Sequence, residues 1–517
     1  MMRAFATVGL WTMLSRVLGF IRDILIAAFL GAGPVAEAFV IAFSLPNMFR
    51  RFFAEGAFNM AFIPLFSKKL EAGDDPEGFA RDALTGLGLI LILLTVAALF
   101  AMPWLVLAMA SGFAGDARFD LAVVFGRIAF PYIFFISLAA LASGVLNASR
   151  HFVAAAAAPS LLNALFIGAL FVADAAGWRA GLTLAWTVPI AGIAQLALVW
   201  VAARRAGFKL LPRWPRLTPE LKRLAIIAAP AALAGGVVQV NLLVGRQVAS
   251  YFDGAAAWLY YADRLYQLPL GVVGIAIGVV LLPDLSRKLQ ANDEEGGQDA
   301  FSRATELCLA LTVPAALALV IIPLPLVSVL FVRGAFTLED ALPTALATAI
   351  YGAGLPAFVL QKVLQPLYFA REDTRRPFYF ALVAMVLNAA LAIGLSVWVG
   401  FIAAAFGTTL AAWAMTWLLW RGSREMGRAA RLDARLRARA PRIVLASTAM
   451  AAVLAGASWL LGDAFDLPGW RYAALLALVA LGLLTYGLAA HLTGAFTLRE
   501  LKAQLRGARS TTPDPAQ

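Results

Sequence analysis

The chain has 517 residues, of which 62% are hydrophobic and only 14% are charged, and its formal net charge is +12. Soluble domains carry roughly 25% charged residues, so this composition excludes a soluble enzyme and a disordered chain. Cys308 is the single cysteine, which excludes a secreted scaffold held together by internal disulfides. The two histidines, His151 and His491, are far apart and have no acidic or thiol neighbours in sequence, so no zinc or redox-metal site is expected. The composition indicates a polytopic membrane protein.

Apolar stretches long enough to cross a bilayer follow one another along the whole chain. A helix needs about 20 mostly apolar residues to span a membrane. These stretches are continuous and lack the two-residue alternation of barrel strands, which predicts an all-α polytopic membrane protein. Fourteen transmembrane helices are predicted, at 4–30, 36–64, 82–110, 121–148, 153–175, 181–203, 224–251, 256–285, 303–330, 341–370, 377–398, 401–420, 443–462 and 470–492.

Lysine and arginine are distributed unequally between alternate loops. The loops on the side of the N-terminus carry 30 of these residues, and the opposite loops carry four, at Arg118, Arg179, Arg333 and Arg471. Because short loops rich in Lys and Arg stay in the cytoplasm, this bias predicts that both termini are cytoplasmic. The densest basic block, Arg421–Arg442, is interpreted as an anchor at the anionic cytoplasmic leaflet, with nucleic-acid binding as a remote alternative.

Basic residues also outnumber acidic residues inside the predicted spans. The basic residues there are Arg16, Arg22, Arg50, Arg51, Arg127, Arg246, Arg264 and Lys362. The clear acidic residues are Asp23, Glu55 and Asp263, with Glu37 and Asp284 near span ends. An ionised side chain at the bilayer centre costs at least ~2.5–3.5 kcal/mol, so such residues normally face a cavity or a partner. The cationic excess predicts that the interior attracts an anion.

In the first span, Arg16 and Asp23 are two helical turns apart on one face, with Gly19 between them, and Arg22 points about 120° away. In the second span, Pro46 is expected to kink or break the helix just before Arg50. The eighth span has a similar arrangement, in which the pair 263–264 precedes Pro269. Broken helices beside buried cations are typical of an anion site at the membrane midplane.

A purely structural interpretation of these charges stays open. Asp23, Asp263 and Glu55 would then neutralise the arginines and hold helices together, although there are fewer acids than bases. Three further basic residues are also interpreted as span-end side chains that reach the interface, and no role is assigned to them. They are Arg127, Arg246 and Lys362.

Three short patterns recur in the same order, which indicates an internal duplication. The segment 63–70 resembles 282–289, Phe130-Pro131 resembles Leu355-Pro356, and 162–164 resembles 387–389. Each copy contains six predicted spans, so the copies have the same orientation in the membrane, as in some transporters. The predicted organisation is two six-helix lobes related by a parallel repeat plus two C-terminal helices. The ranges are 1–210 (N-lobe, spans 1–6), 223–422 (C-lobe, spans 7–12), 443–495 (spans 13 and 14) and 496–517 (cytoplasmic tail).

Catalytic motifs are missing from the sequence. There is no G-x-x-x-x-G-K-[ST] loop for nucleotide hydrolysis, and no H-E-x-x-H or G-x-S-x-G motif. The protein is therefore expected to be a transporter rather than an enzyme, with no catalytic residue, metal or cofactor. Its energy source is expected to be the membrane potential or an ion gradient, which supplies ~2.3 kcal/mol per charge per 100 mV.

Two sequence runs resemble the signature of the MurJ (MviN) lipid II flippases. They are S-R-V-L-G-F-I-R-D at 15–23 and L-P-N-M-F-R-R at 45–51, the latter followed by F-A-E-G-A-F at 53–58. The run Y-Y-A-D-R-L at 260–265, with Pro269 and Gly271 behind it, is similar to the eighth span of that family. The resemblance extends essentially end to end. It implies the fold of the multidrug/oligosaccharidyl-lipid/polysaccharide exporter superfamily, with two six-helix lobes plus two helices.

The resemblance also implies a set of substrate-binding residues. The cavity arginines of the family fall on Arg16, Arg22, Arg50 and Arg264. Its acidic residue near the first loop, usually Asp, falls on Glu37, and Asp23 and Asp263 complete the expected site. Ser44 stands where many relatives have Lys, so one cavity charge is absent here. Spans 13 and 14 are expected to form a groove for the lipid tail.

The function implied is transfer of lipid II, the undecaprenyl-diphosphate-linked peptidoglycan precursor, from the cytoplasmic to the periplasmic leaflet of the bacterial inner membrane by alternating access. Arginine forks suit the oxygens of a diphosphate. The expected partners are this anionic lipid and the membrane, with cell-wall synthesis machinery as a candidate and no nucleic acid. Flipping of another polyprenyl-linked glycan and cation-coupled drug export remain alternatives, although a drug exporter favours an acidic cavity. A membrane scaffold that recruits cell-wall enzymes is a further alternative.

The loop charges generate a topological prediction. Alkaline phosphatase, which is active only in the periplasm, should be active when fused at Ala464 and inactive when fused at Gln517, because the basic loops place both termini inside. A green fluorescent protein fused at the same two positions should give the opposite pattern. Phosphatase activity at Gln517 would show that the number of spans is odd.

Overall fold

The computed structural model describes residues 2–50, 57–216, 218–276, 282–467 and 469–496. Within these ranges the chain is helical throughout, apart from turns, loops and one isolated β-bridge between Arg333 and Phe336. The predicted all-α class is therefore confirmed. Arg51, Glu55 and nearly all of the predicted cytoplasmic tail lie outside the described residues.

The long α-helices follow the predicted spans, and a few short α-helices lie beside them. In the N-terminal half they are α1 (Met2–Leu30), α2 (Pro34–Arg50), α3 (Ala57–Ala72), α4 (Pro76–Met109), α5 (Ala117–Ala129), α6 (Tyr132–Ala148), α7 (Val153–Ala176), α8 (Ala180–Arg205), α9 (Pro219–Ser250) and α10 (Ala255–Ala276). They continue with α11 (Leu282–Gln290), α12 (Glu294–Ile321), α13 (Pro323–Phe331), α14 (Leu338–Phe369), α15 (Arg375–Val399), α16 (Ile402–Ser423), α17 (Ala434–Leu460), α18 (Gly462–Asp466) and α19 (Trp470–Leu492).

Ten helical segments in the described part of the chain are long and apolar enough to cross a bilayer. They coincide with predicted spans 3–6 and 9–14. The described residues of predicted spans 1, 2, 7 and 8 are helical, and these four spans contain most of the intramembrane charges. The described residues of span 2 belong to α2 and α3, which have 17 and 16 residues. The count of fourteen spans therefore stays a prediction.

Side-chain caps fix where several long helices begin. Asp75 accepts a hydrogen bond from the Gly78 N–H at 2.9 Å at the start of α4, and Thr218 accepts one at the start of α9. Asp293 and Asp433 cap α12 and α17 in the same way. Each cap satisfies one of the backbone donors that a helix leaves unpaired at its N-terminus. All four lie in loops predicted to be cytoplasmic.

Pro46 does not break α2, which continues to Arg50. Of the kink or break expected there, the break is therefore wrong and the kink stays a prediction. The Ser44 hydroxyl donates to the Val40 carbonyl at 2.7 Å, and the Asn47 amide donates to the Phe43 carbonyl at 2.8 Å. Polar side chains that bond nearby carbonyls let a membrane helix tolerate an internal proline. The predicted break rested only on the missing N–H of Pro46.

Pro269 likewise lies inside α10. The two halves of the proposed repeat differ at another proline. Pro131 lies between α5 and α6, whereas Pro356 lies inside the continuous helix α14. Asn163 and Asn388, which the repeat also relates, are both buried.

The chain divides into two compact units. The first contains Met1–Tyr261, Arg333–Asp340 and Leu395–Ala404, and the second contains Ala262–Val332, Ala341–Gly394 and Ala405–Gln517. The first unit thus includes predicted spans beyond residue 210. The lobe boundaries proposed from the repeat stay predictions.

In the second unit, α17 and α19 pack against α12. Ile443 of α17, Ala490 of α19 and Ala310 of α12 belong to one buried apolar cluster. The Tyr486 hydroxyl donates to the Ala310 carbonyl at 2.7 Å. Predicted spans 13 and 14 therefore lie beside predicted span 9.

In the half of α12 that the loop charges place toward the cytoplasm, one carboxylate is shared by three arginines. Glu306 is 4% exposed. Its oxygens accept from Arg303 Nη1 at 2.6 Å, from Arg439 Nη1 at 2.7 Å and from Arg435 Nη2 at 3.4 Å. This carboxylate fixes the start of α17 on α12.

The substitution Glu306→Gln should lower the free energy of unfolding by roughly 2–4 kcal/mol, because it removes the buried negative charge that three clustered guanidinium groups share. Asp299→Asn is the matched control, since the exposed Asp299 also pairs with Arg303, at 3.0 Å. Exposed pairs contribute about 0–1 kcal/mol, so the control should change stability little. Thermal unfolding of the purified protein in detergent, followed by tryptophan fluorescence, measures both. Equal effects of the two substitutions would contradict the role of Glu306.

Candidate functional site

Arg22 on α1 is the centre of a buried polar cluster in the first unit. Its Nε and Nη2 atoms donate to Asp23 Oδ1 at 3.0 and 2.7 Å, and its Nη1 donates to Asn163 Oδ1 at 2.9 Å. The Tyr260 hydroxyl donates to the same Asp23 oxygen at 3.0 Å. The guanidinium carbon lies 5.6 Å from the centre of the Phe166 ring. In this structure Arg22 is thus neutralised by Asp23, as the structural interpretation expected.

Asn163 links this cluster to the preceding turns of α1. Its amide donates to the Ser15 carbonyl at 2.9 Å. A Cβ atom at Gly19 would lie 3.3 Å from the Asn163 amide nitrogen. The space that Gly19 leaves on this face of α1 is therefore occupied by the Asn163 side chain of α7.

Arg16 has a different environment from Arg22. It is exposed, and its side chain makes no hydrogen bond or ion pair with the described residues. The helical spacing grouped Arg16 with Asp23, but the structure pairs Asp23 with Arg22 instead. Arg16 therefore keeps an uncompensated positive charge two turns before the buried ion pair.

Glu37 belongs to a second cluster, around Arg118. Glu37 is 1% exposed, and its Oε2 atom lies 3.1 Å from Arg118 Nη1. Its other oxygen accepts from the Ala256 N–H at 3.2 Å. Arg118 also pairs with Asp116 at 2.5 Å and with Asp253 at 3.0 Å. Glu37 thus lies in an ion-pair network instead of joining Arg22 and Asp23.

Arg118 also lies over the Phe113 ring, 4.6 Å from its centre, so three carboxylates and one ring contact the same guanidinium. The Arg118 backbone N–H and guanidinium both donate to Asp116 and hold the pKa of that carboxyl below its ordinary value. A lowered pKa means that this contribution to stability is present above about pH 4 and is lost only as the pH falls through the folded-state pKa. The Asp116 carboxylate is therefore ionised at neutral pH.

Several residues of these clusters were missed by sequence reasoning. Arg118 was counted only as a loop charge, because nothing local connects it with Glu37. Asn163 belongs to the repeated segment 162–164, and Tyr260 begins the Y-Y-A-D-R-L run, but the sequence predicts no contact for either residue. The repeated asparagine and the tyrosine before Asp263 were the available signals.

The other predicted site residues lie elsewhere. Arg50 is half-buried in the last turn of α2. In the second unit, Asp263 and Arg264 are half-buried in adjacent positions of α10, and the Asp263 carboxylate accepts a hydrogen bond from Gln267. Across the part of the chain that the structure describes, no group of three or more His, Cys, Asp or Glu side chains is placed to hold a metal ion.

Comparisons with known proteins agree on one family. The family model described as "Lipid II flippase MurJ" matches residues 26–490. A "Probable lipid II flippase MurJ" of Rhizobium meliloti is 45% identical over 509 residues, which cover 96% of this chain and 94% of the relative. The "Lipid II flippase MurJ" of Burkholderia cenocepacia is 37% identical over 395 residues, which cover 75% of this chain and 76% of the relative.

Solved structures give the same result. The structure titled "Lipid II flippase MurJ, inward closed conformation" superposes with a TM-score of 0.79 at 25% identity, and the match covers 94% of this chain and 98% of that one. An inward-facing multidrug resistance MATE family transporter of the MOP superfamily gives a TM-score of 0.66 at 13% identity, covering 80% and 95%, which is a likeness of fold alone. The chain is an integral membrane protein that belongs to the MurJ family of lipid II flippases.

Proposed function

We propose that this chain translocates lipid II from the cytoplasmic to the periplasmic leaflet of the bacterial inner membrane by alternating access, without catalysing a reaction. The family supports the substrate class. The observation that carries the proposal for this chain is the exposed Arg16 on α1, which has no partner among the described residues and lies two turns before the buried Arg22–Asp23 pair. An uncompensated guanidinium within a predicted span suits the diphosphate of a polyprenyl lipid.

The two arginines of α1 would then have different roles. Arg16 can pair with the diphosphate without first losing a partner among the described residues. Arg22 is held by Asp23 and Asn163 at 2.7–2.9 Å, so a diphosphate oxygen can reach it only by displacing one of these partners. Exchange of one anionic partner for another avoids a state in which a buried charge has no partner. Asp23 thus keeps the site stable while it is empty.

Arg264 and Arg50 are proposed to complete the diphosphate site. Arg264 follows Asp263 on α10, and the hydrogen bond from Gln267 orients that carboxylate. Spans 13 and 14 are proposed to accommodate the polyprenyl tail. Leu476, Leu483 and Leu484 of α19 each expose at least 70% of their surface, which suits contact with lipid chains.

Contacts within the first unit support closure on the predicted periplasmic side. The Ser111 hydroxyl and N–H donate to Gln247 at 2.7 and 2.8 Å, and the Ala335 N–H donates to the Ala28 carbonyl at 2.7 Å. Gly31 has φ of +64°, and a Cβ atom there would lie 2.5 Å from the Ala335 carbonyl oxygen. Together with the Arg118 network, these contacts join the predicted periplasmic loops of spans 1, 2 and 4 to those of spans 7, 8 and 9. Release of lipid II to the periplasm would require them to separate.

Depletion of the protein in its host is the experiment that tests the proposed substrate. Lipid II should accumulate in the cytoplasmic leaflet, as measured by extraction and by its inaccessibility to enzymes added from the periplasm. Accumulation of a different polyprenyl-linked glycan would replace lipid II in the proposal. If neither lipid II nor another polyprenyl-linked glycan accumulates, the proposed function is contradicted.

Replacement of Arg16, Arg22 or Arg264 by Ala should lower lipid II flipping in proteoliposomes by roughly 10- to 100-fold, because each loses a charge-assisted contact to the diphosphate. Lysine should restore little activity, since it keeps the charge but lacks the guanidinium fork. Arg127→Ala is the matched control, because Arg127 is also within a predicted span but is exposed and donates to the Leu99 carbonyl. Wild-type rates in all three alanine variants would show that the diphosphate binds elsewhere.

The double variant Asp263→Asn with Arg264→Gln separates binding from a purely structural role and completes this test. Removing both charges leaves no unpaired ion, so membrane abundance should be normal. Flipping should remain lost if Arg264 binds the diphosphate. Restored flipping in the double variant, after loss in each single variant, would make Arg264 structural.

The Arg118 network also allows a prediction about Glu37 and closure of the predicted periplasmic side. In a cysteine-free background made by Cys308→Ala, the substitution Ala256→Cys places a thiol at a position that is 6% exposed. Glu37→Gln should raise its labelling by a membrane-impermeant maleimide at least about tenfold, because the buried Arg118 loses its buried carboxylate partner and keeps only the more exposed Asp116 and Asp253. Asp253→Asn is the control, since this partner of Arg118 has a 94% exposed side chain and contributes little. Unchanged labelling in the Glu37 variant would contradict a closing role.

A further inference from the structure

A basic cleft in the second unit is not used by the proposed transport mechanism. It lies between the first turns of α12 and the first turns of α17, in loops predicted to be cytoplasmic. Its volume is about 470 Å³. The lining residues are Gln298, Arg428, Arg431, Leu432, Asp433, Ala434 and Arg437.

The wall of the cleft is fixed on α12 by backbone hydrogen bonds. The Ala429 N–H donates to Glu294 Oε2 at 2.7 Å, and the Asp433 N–H donates to the Ser302 hydroxyl at 3.1 Å. Ala429 and Ala430, which belong to this wall, are buried. The cleft is therefore shaped before any ligand enters it.

The acidic neighbours of the cleft already have partners. Glu295 pairs with Arg428 at 2.6 Å. Asp433 pairs with Arg303 and also accepts the Leu436 N–H at 2.6 Å as the cap of α17. In the described structure, the recorded partners of both carboxylates are groups other than Arg431 and Arg437.

Two arginines of the cleft keep their full charge. Arg431 and Arg437 are exposed, and neither side chain makes a hydrogen bond or ion pair with the described residues. They lie on either side of the N-terminus of α17, which the Asp433 carboxylate caps. Two guanidinium groups without a partner among the described residues thus line one preformed cleft.

We propose that this cleft binds a phosphate monoester, presented either by a soluble molecule or by the headgroup of a lipid such as phosphatidic acid. A phosphate monoester carries a charge of about −1.5 to −2 at pH 7 and three acceptor oxygens, which match two guanidinium forks. A phosphodiester carries a single charge and leaves one arginine uncompensated. The inference concerns a different site from the proposed transport function and does not rest on it.

The test uses the full chain in phosphatidylcholine nanodiscs and the double variant Arg431→Gln with Arg437→Gln. The matched control is Arg204→Gln with Arg205→Gln, which removes the same charge from two exposed arginines at the end of α8 that lack side-chain partners in the described structure. Glycerol 3-phosphate is the soluble probe, measured by calorimetry. Dioleoyl phosphatidic acid is the lipid probe, and dioleoyl phosphatidylglycerol is its diester counterpart, both measured as bound lipid by native mass spectrometry.

At least one monoester probe should bind the wild type and the control equally, and it should bind the double variant at least about tenfold more weakly. The probe that responds identifies the soluble or the lipid source. Lowering the pH from 7.5 to 5.5 should weaken its binding, because the second pKa of a phosphate monoester is about 6. Phosphatidylglycerol should bind more weakly and without this pH dependence. Unchanged thermal unfolding confirms that the double variant is folded.

Two outcomes would overturn the proposal. Equal loss in both double variants would show that only the general positive charge attracts phosphate. Equal binding of both monoester probes by the wild type and the cleft variant would show that Arg431 and Arg437 bind neither.

Discussion

An ionised side chain removed from water is unfavourable by several kcal/mol unless an opposite charge or hydrogen bonds compensate it. The polar organisation of this protein depends on that constraint. Arg22 is only 8% exposed, and its Nε, Nη1 and Nη2 atoms are all hydrogen-bonded to Asp23 or Asn163. The same contacts hold α1 against α7 and bring the Tyr260 hydroxyl of α10 onto the carboxylate. Charge compensation thus sets how these helices pack as well as which charges remain for a ligand.

In each unit, one buried charged group forms ion pairs with several partners. Arg118 contacts three carboxylates, and Glu306 contacts three arginines, so one central group serves several partners in each case. Removal of the central group leaves several like charges together, whereas removal of an exposed partner changes little. These two networks join elements that are distant in sequence. Positive charge left over from such pairing is found at Arg16, Arg431 and Arg437, and an anion is the ligand that each of them favours.

Close backbone contacts complement the ion pairs on the predicted periplasmic side. Gly31 has a positive φ and approaches the Ala335 carbonyl so closely that a Cβ atom would overlap it. The Tyr261 hydroxyl donates to the Gly31 carbonyl at 2.7 Å in the same region. Hydrogen bonds and polar contacts of this kind can separate and form again without exposing a large apolar core. They are therefore suited to a surface that opens during transport, which hydrophobic packing of the same area would resist.

The sequence by itself determined the helical membrane class, the positions of most spans, the cationic excess and the family, because each depends on local composition or on short contiguous motifs. It also placed Arg16, Arg22 and Asp23 together, since they share one helix. Tertiary structure alone decided the pairing: Asp23 with Arg22 and Tyr260, Glu37 with Arg118, and Arg16 with no described partner. It also decided that α2 continues through Pro46 to Arg50. The physical reason is that an ion pair depends on how helices rotate and pack against one another. Glu37 and Arg118 are 81 residues apart, and no local pattern encodes their meeting.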